Sequence, residues 1–227
     1  MIERVLPLPD PKLESVYLKR GVILIHIPKN AGTSVEDALY GYRVRHRTWA
    51  EVQTSCPRAW IKLPKIAIVR DPLERFLSAY DYLRGGGRNA ADRAFAKWMI
   101  GTQSVTEVAE RLSKSPGYRR VAMQYFHFRP QSDYVCDGGV LMVDRLIPFP
   151  HMADGLLRYA NVSPNALQHA NRTLSQRTNR RSLTPTTVDQ IEAIYSDDRV
   201  LYEDTMQSWA NANPTGPKGP CAGATPY

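Results

Sequence analysis

Two stretches of the chain, Val22-Ile-Leu-Ile-His-Ile27 and Lys65-Ile-Ala-Ile-Val69, are nearly continuous in apolar, β-branched residues. Runs without polar alternation read as strands buried on both faces, the pattern of a parallel sheet. Each leads straight into a helix start. Thr33 or Ser34 opens a helix toward Tyr40. Asp71-Pro72 supplies an N-cap and a proline at the first helical position, after which Leu73, Phe76, Leu77 and Tyr80 fall on one stripe. Gly85-Gly-Gly87 ends that helix. Further helices are predicted near Ala90–Ile100, Thr106–Leu112 and Pro116–Tyr125, and a third strand at Val140–Val143. The C-terminal part reads as mainly helical, with Thr184-Pro185 opening a helix to Tyr195 and another running to about Trp209. Strand–helix alternation of this kind predicts an α/β fold, a central parallel sheet covered by helices on both faces.

At 227 residues the chain suffices for one sizeable α/β domain. Residues 1–20 read as an N-terminal extension and 21–210 as the domain. Residues 211–227 are dense in Pro and Gly with no apolar period, the composition of a flexible tail. No internal repeat is present. Hydrophobic residues at 43% and charged residues at 23% exclude a disordered or collagen-like chain. No run approaches the roughly 18 apolar residues of a membrane span, and the N-terminus lacks the apolar core of a secretory signal. The expected location is the cytoplasm. Cys56, Cys136 and Cys221 are odd in number and lack metal-ligand spacing, so they read as buried or incidental thiols.

The net charge of +8 changes the picture, because it calls for an anionic partner: nucleic acid, a nucleotide or an acidic polysaccharide. The positive residues gather in Arg43-Val-Arg-His-Arg47 and in the stretch carrying Arg172, Arg177, Arg180 and Arg181. Either knot also fits a solvated basic face.

Between the first strand and its helix lies His26-Ile-Pro-Lys-Asn-Ala-Gly-Thr-Ser34. A loop in that position offers backbone N–H groups and a helix N-terminus to an anion above the strand's carboxyl end. Gly32 permits close backbone approach, Lys29 adds a point charge, and Thr33 and Ser34 add hydroxyl donors. The G-x-x-x-x-G-K-[ST] spacing of a Walker A loop is absent, and the lysine precedes the glycine. In the second stretch, Ile68-Val-Arg-Asp-Pro-Leu-Glu-Arg-Phe-Leu-Ser-Ala-Tyr80, Arg70 sits at a strand's carboxyl end, where ligands of open α/β sheets bind. Ser78 lies about two helical turns further on and can face the same phosphate. Arg75 reads as a solvated helix residue or an ion-pair partner of Glu74 or Asp71.

Together these two stretches resemble the nucleotide-binding elements of sulfotransferases that use 3′-phosphoadenosine 5′-phosphosulfate (PAPS). The likeness is closest to the branch of heparan-sulfate 2-O-sulfotransferases, related carbohydrate sulfotransferases and small bacterial relatives. His127-Phe-Arg-Pro-Gln131 with Tyr134-Val-Cys-Asp137, then Val143-Asp144, then His169-Ala-Asn-Arg172 echo the family in its order. The resemblance implies a three-layer, P-loop-like fold and transfer of a sulfuryl group from PAPS to a hydroxyl acceptor, a carbohydrate, with no metal. It assigns Lys29 to the sulfuryl or bridging oxygen and Asn30, Ala31, Gly32, Thr33 and Ser34 to the 5′-phosphosulfate. Arg70 and Ser78 would hold the 3′-phosphate, and Arg172 and Arg177 would close over the nucleotide. Where the family often has Arg-Phe-Glu, this chain reads Arg145-Leu-Ile-Pro-Phe-Pro150.

Sulfuryl transfer is an in-line displacement, so the protein must align donor and acceptor and offset charge on the leaving phosphate. The acceptor hydroxyl loses a proton, which a histidine can take at neutral pH. His46 lies between the two nucleotide elements, and relatives in this branch often have a histidine and a threonine there; His127 is the second candidate. Arg43, Arg45 and Arg47 are expected to depress the His46 pKa and are candidates for an acidic acceptor. Competing readings are a P-loop kinase using ATP, which lacks its Gly-Lys-Ser/Thr ending here, and a non-catalytic module for basic recognition of a polyanion. No aromatic-interleaved RNA motif or DNA-reading helix favours nucleic acid.

Overall fold

The computed structural model describes residues 7–167 and 178–211. The chain enters through α1 (Pro11–Arg20), whose N-terminus Asp10 caps by accepting from the Leu13 N–H. Leu13 and Tyr17 of this helix are fully buried in a cluster that includes Ile23 and Ile25. β1 (Ile23–Ile25) leads to α2 (Gly32–Tyr40), and the short helices α3 (Trp49–Ser55) and α4 (Pro57–Lys62) return the chain to β2 (Lys65–Val69). Asp71 accepts from the Glu74 N–H and Pro72 takes the first position of α5 (Pro72–Arg84), so local capping makes the strand-to-helix turn as predicted. The expected helices α6 (Ala90–Met99), α7 (Val105–Lys114) and α8 (Pro116–Gln124) follow.

The third strand differs from expectation. After the single-turn α9 (Ser132–Val135), β3 (Cys136–Asp137) pairs antiparallel with β4 (Val140–Leu141) in a two-stranded ribbon. Gly138 and Gly139 join them at φ 52° and 88°, a turn that glycine makes without strain. Val140 is therefore 62% exposed. The parallel sheet takes β5 (Arg145–Pro148) instead, where Leu146 and Ile147 are buried. The described chain closes with α10 (Met152–Ala160), α11 (Pro185–Ile194) and α12 (Ser196–Ala210).

The sheet order is β1-β2-β5, all parallel, with Ile23 opposite Lys65 and Ile66 opposite Arg145. Alternate residues face opposite sides. Ile23, Ile25, Ala67, Val69 and Leu146 pack with residues of α1, α3, α4, α9 and α12. Val22, Leu24, Ile66, Ile68 and Ile147 pack against Val35 and Leu39 of α2 and Leu156 of α10. Helices thus cover both faces of a central parallel sheet, the α/β arrangement read from the sequence. A further apolar cluster unites α5, α6, α7, α8 and α11.

Cys56 is a free, buried thiol. Cys136 is disulfide-bonded, which corrects the reading of that cysteine as an incidental thiol. Cys221 lies outside the described residues. Among the described residues no helix is long and apolar enough to cross a membrane.

Candidate active site

The carboxyl ends of β1 and β2 carry both predicted elements. Past β1, Lys29 and Ala31 take left-handed backbone conformations, φ 71° and 59°. Ala31, not Thr33 or Ser34, is the N-cap of α2, and it has no side chain to satisfy the helix. No acidic residue lies in the first turn either. The positive end of α2 is thus offset neither by its N-cap side chain nor by an acidic residue of its first turn. The first turn of α5, by contrast, is served by its own Asp71 and Glu74.

Gly32 does permit a close approach, and its partner is the His26 ring. A Cβ on Gly32 would stand 2.0 Å from His26 Cδ2. That ring is buried, with Nδ1 2.7 Å from Glu36 Oε1, so it has no room to yield. Glu36 also accepts the Arg45 N–H at 2.9 Å.

Asn30 is almost completely buried and turns away from the loop mouth. Its Nδ2 donates to the Ile68 carbonyl and to Gln131 Oε1, both at 2.7 Å. Gln131 in turn accepts the Arg70 N–H at 3.0 Å and donates to the Arg70 carbonyl at 2.8 Å. The Arg70 side chain donates from Nη1 to the Lys29 carbonyl at 3.2 Å, and its guanidinium lies 4.9 Å over the Phe149 ring. Phe149 belongs to the stretch that departs from the family pattern, so that departure supplies the Arg70 platform. Ser78 lies half-buried on α5.

Arg75 is neither solvated nor paired with Glu74 or Asp71. It is 1% exposed and donates to the carbonyls of Pro28 at 3.2 Å and Arg129 at 2.6 Å. Its guanidinium stands 4.0 Å from Asp198, which is fully buried and accepts the N–H groups of Gln131 and Ser132. Burial raises the Asp198 pKa. This strut ties the β1–α2 loop, through Pro28, to α5 and α12. No local sequence signal distinguishes it from an exposed helical arginine.

The His46 ring packs 4.2 Å from His26, 5.2 Å from Phe126 and 6.2 Å from His127. Burial, then His26 and His127, push the His46 pKa down to about 2, so the imidazole is neutral with Nδ1 buried and unpaired. The expected cause is corrected: Arg43 binds the Thr33 carbonyl and Asp37, Arg47 binds Asp10 and Ser55, and Arg45 is exposed. His127 is also buried, and both its ring nitrogens lack hydrogen-bond partners. Burial and the neighbouring Lys29 lower its pKa against the opposing pull of Asp92.

Lys29 is half-buried, with Nζ 4.0 Å from the centre of the Tyr82 ring. Burial, Arg70 and Arg88 lower its pKa to about 8. Lys29, Arg70 and His46 thus meet at one edge, as does His127. Sequence reasoning missed Tyr82, Asp92 and Gln131, which act through contacts far apart in the chain. Thr33 is half-buried and Ser34 buried in the first turn of α2. Arg172, Arg177 and His169 lie outside the described residues. Among the described residues no group of three or more His, Cys, Asp or Glu is placed to hold a metal ion. A cavity of about 200 Å³ is lined by Arg119, Asp133, Asp197 and Asp198, and none of Lys29, Arg70 and His46 lines it.

The sequence model of the sulfotransferase family matches residues 17–203. No curated protein and no solved structure matches the chain.

Proposed function

The chain belongs to the sulfotransferase family, and from that premise we propose that it carries a sulfuryl group from PAPS to a hydroxyl of a carbohydrate, in the manner of heparan-sulfate 2-O-sulfotransferases and related enzymes. The observation that carries this reading is the contact of Arg70 Nη1 with the Lys29 carbonyl at 3.2 Å, beside an N-terminus of α2 that has no side-chain N-cap bond and no acidic residue in its first turn. Two positive elements converge where a nucleotide bearing both a 3′- and a 5′-phosphate presents its charge. The residues fit such a group: no described carboxylate forms an ion pair with Lys29, and burial, then the positive charge of Arg70 and Arg88, lowers its pKa, a cost that an anion beside it would offset.

PAPS, when bound, supplies an activated sulfuryl group with a phosphate as its leaving group. Lys29 and the backbone of Asn30, Ala31, Gly32, Thr33 and Ser34 hold the 5′-phosphosulfate, and the buried Asn30 side chain fixes the loop. Arg70 and Ser78 hold the 3′-phosphate. Arg172 and Arg177 are assigned to the nucleotide by resemblance alone. Lys29 offsets the charge that develops on the leaving oxygen, the task of a preorganised cation. His46 is given the acceptor's proton by the resemblance and by its place at this edge. Burial holds the imidazole neutral but also makes it a weak base, so the acceptor must open the His26, Phe126 and His127 cluster around Nδ1 for His46 to fill that role. The exposed Arg45 suits an acidic sugar, whereas Arg43 is already engaged by the Thr33 carbonyl, Asp37 and Glu36.

Adenosine 3′,5′-bisphosphate should raise the melting temperature, by an amount equivalent to about 2.7 kcal/mol at a hundredfold excess over its dissociation constant. ATP with magnesium should raise it less, and Arg70→Ala should remove most of the effect. No shift at millimolar bisphosphate would end the nucleotide assignment. Labelled donor offered with a panel of glycans and small alcohols then identifies the acceptor.

A further inference from the structure

Beneath Lys29 lies a group of side chains that this reading leaves unused. The Tyr82 hydroxyl donates to Asp92 Oδ2 at 2.6 Å. Asp92 is fully buried; its other oxygen accepts the Tyr125 hydroxyl, and Oδ2 also accepts the Arg88 N–H at 3.0 Å. Burial alone would raise the Asp92 pKa, but the bonds from Tyr125, Tyr82 and Arg88 hold it below the usual carboxylate range. The chain closes tightly around this carboxylate. Gly87 adopts φ 60°, and a Cβ there would fall 2.2 Å from Asp92 Cβ. The Tyr82 ring also packs 4.7 Å from the His127 ring.

We propose that Tyr82, braced by Asp92, is the positioning residue of Lys29: its ring face seats the ammonium at the mouth of the 5′ loop and keeps it charged until the donor arrives. The proposal rests on the assignment of Lys29 to sulfuryl transfer. Four positions act on the Lys29 charge most directly. Arg70 and Arg88 push toward the neutral amine, while Asp92 and Asp81 favour the ammonium. The neighbouring His46 and His127 are held neutral by burial and do not add charge of their own. A ring face attracts a cation, most strongly where water is excluded. A phenol whose proton is donated to a carboxylate carries more electron density on its ring, which strengthens that attraction. The seat therefore opposes the repulsion that a loop crowded with arginines imposes on its lysine.

The test uses the ligand-free protein and does not depend on turnover. Competitive acetylation of Lys29 with acetic anhydride across pH, read by mass spectrometry, yields the pKa of this amine. The wild type should give about 8. Tyr82→Phe keeps the ring and should stay within about half a unit of that value. Tyr82→Leu removes the ring face and should lower it by about 0.5–1 unit, the size of a partly buried cation–π contact. Where Tyr82→Leu fails to fold, Tyr82→Met fills the space without a ring and should show the same fall. An unchanged or raised pKa in the ringless variant overturns the proposal, as does an equal fall in Tyr82→Phe. Wild-type transfer by Lys29→Ala would remove Lys29 from the mechanism without altering the labelling result, so the two failures are distinguishable.

Discussion

Asn30 and Gln131 share a buried hydrogen bond of 2.7 Å although 101 residues separate them in the chain. Gln131 also brackets the Arg70 backbone, accepting its N–H and donating to its carbonyl, as a neighbouring strand would. One side chain thus joins the β1–α2 loop to the arginine that follows β2. Gln131→Ala removes both bonds to the half-buried Arg70 backbone, at about 0.5–1.5 kcal/mol for each. Thermal unfolding should show the loss, and titration should show weaker adenosine 3′,5′-bisphosphate binding. Unchanged affinity would mean that the two elements hold their spacing without Gln131.

Gly32 meets a fixed obstacle. In Gly32→Ala the new methyl overlaps the His26 ring, whose Nδ1 is held by Glu36. Forcing a group into a packed site costs about 1–3 kcal/mol. Denaturant unfolding should report that cost, and bisphosphate binding should weaken as the loop shifts. A stable Gly32→Ala with wild-type affinity would show that the loop has slack.

Breaking the Arg75–Asp198 strut should be more damaging than its 4.0 Å separation suggests. Arg75→Met leaves Asp198 buried without its cation and frees the Pro28 and Arg129 carbonyls. Removing one partner of a buried pair typically costs about 3–5 kcal/mol. A melting temperature close to that of the wild type would assign the strut's hold on Pro28 to the backbone alone.

The legible parts of this molecule are those whose signals are local. Asp71-Pro72 after a β-branched run announces a strand, a cap and a helix within a few residues, and the structure follows it. The third strand was not legible for the same reason. Val140-Leu-Met-Val143 has the stronger strand pattern, yet the turn at Gly138–Gly139 folds its start into a ribbon. Arg145-Leu-Ile-Pro148 carries a charge at one end and a proline at the other, and only pairing with β2 makes it a strand. α1 has its signals, Asp10, Pro11 and Gly21, but buries just Leu13 and Tyr17, too few to announce a packed helix. In the candidate site, Lys29, Gly32 and Arg70 were readable from loop position. Arg75, Tyr82, Asp92 and Gln131 were not, because their partners lie on other elements.

The choice between His46 and His127 can be made by separating rate from affinity. His46→Asn preserves size and some hydrogen bonding and loses basicity. It should cut turnover by about a hundred- to ten-thousandfold and leave the bisphosphate dissociation constant within about twofold of wild type, because a base acts on the acceptor. His127→Asn sits against Asp92 and Tyr82 and should disturb Lys29 as well as the acceptor. Since burial holds the His46 pKa near 2, the free enzyme should show no acidic limb at about 6.5 in kcat/KM. Wild-type turnover by His46→Asn with saturating acceptor would transfer the role to His127.

On the proposed role of Lys29, its titration should set the alkaline side of the profile. Its pKa is lowered from 10.5 to about 8, chiefly by burial and then by Arg70 and Arg88. The charged ammonium is the form that offsets negative charge on a leaving oxygen, so kcat/KM should be level below pH 8 and fall above it. An anionic donor beside Lys29 favours the ammonium, so the limb in kcat should lie at higher pH than the limb in kcat/KM. Lys29→Arg replaces the amine with a guanidinium that stays charged; its slower turnover should lose the limb. Stability gives an independent reading with a definite sign. Between pH 8 and 10.5 the unfolded chain holds the Lys29 proton while the folded protein has released it. The unfolded state then binds more protons, so this group's contribution to stability rises with pH across that window. Below pH 8 both states are protonated and the cost of the buried charge is fully present. Lys29→Met should be more stable than wild type at pH 7, and the difference should shrink as pH rises toward 10.5. A limb that survives in Lys29→Arg, together with a pH-independent stability difference for Lys29→Met, would mean that another group titrates.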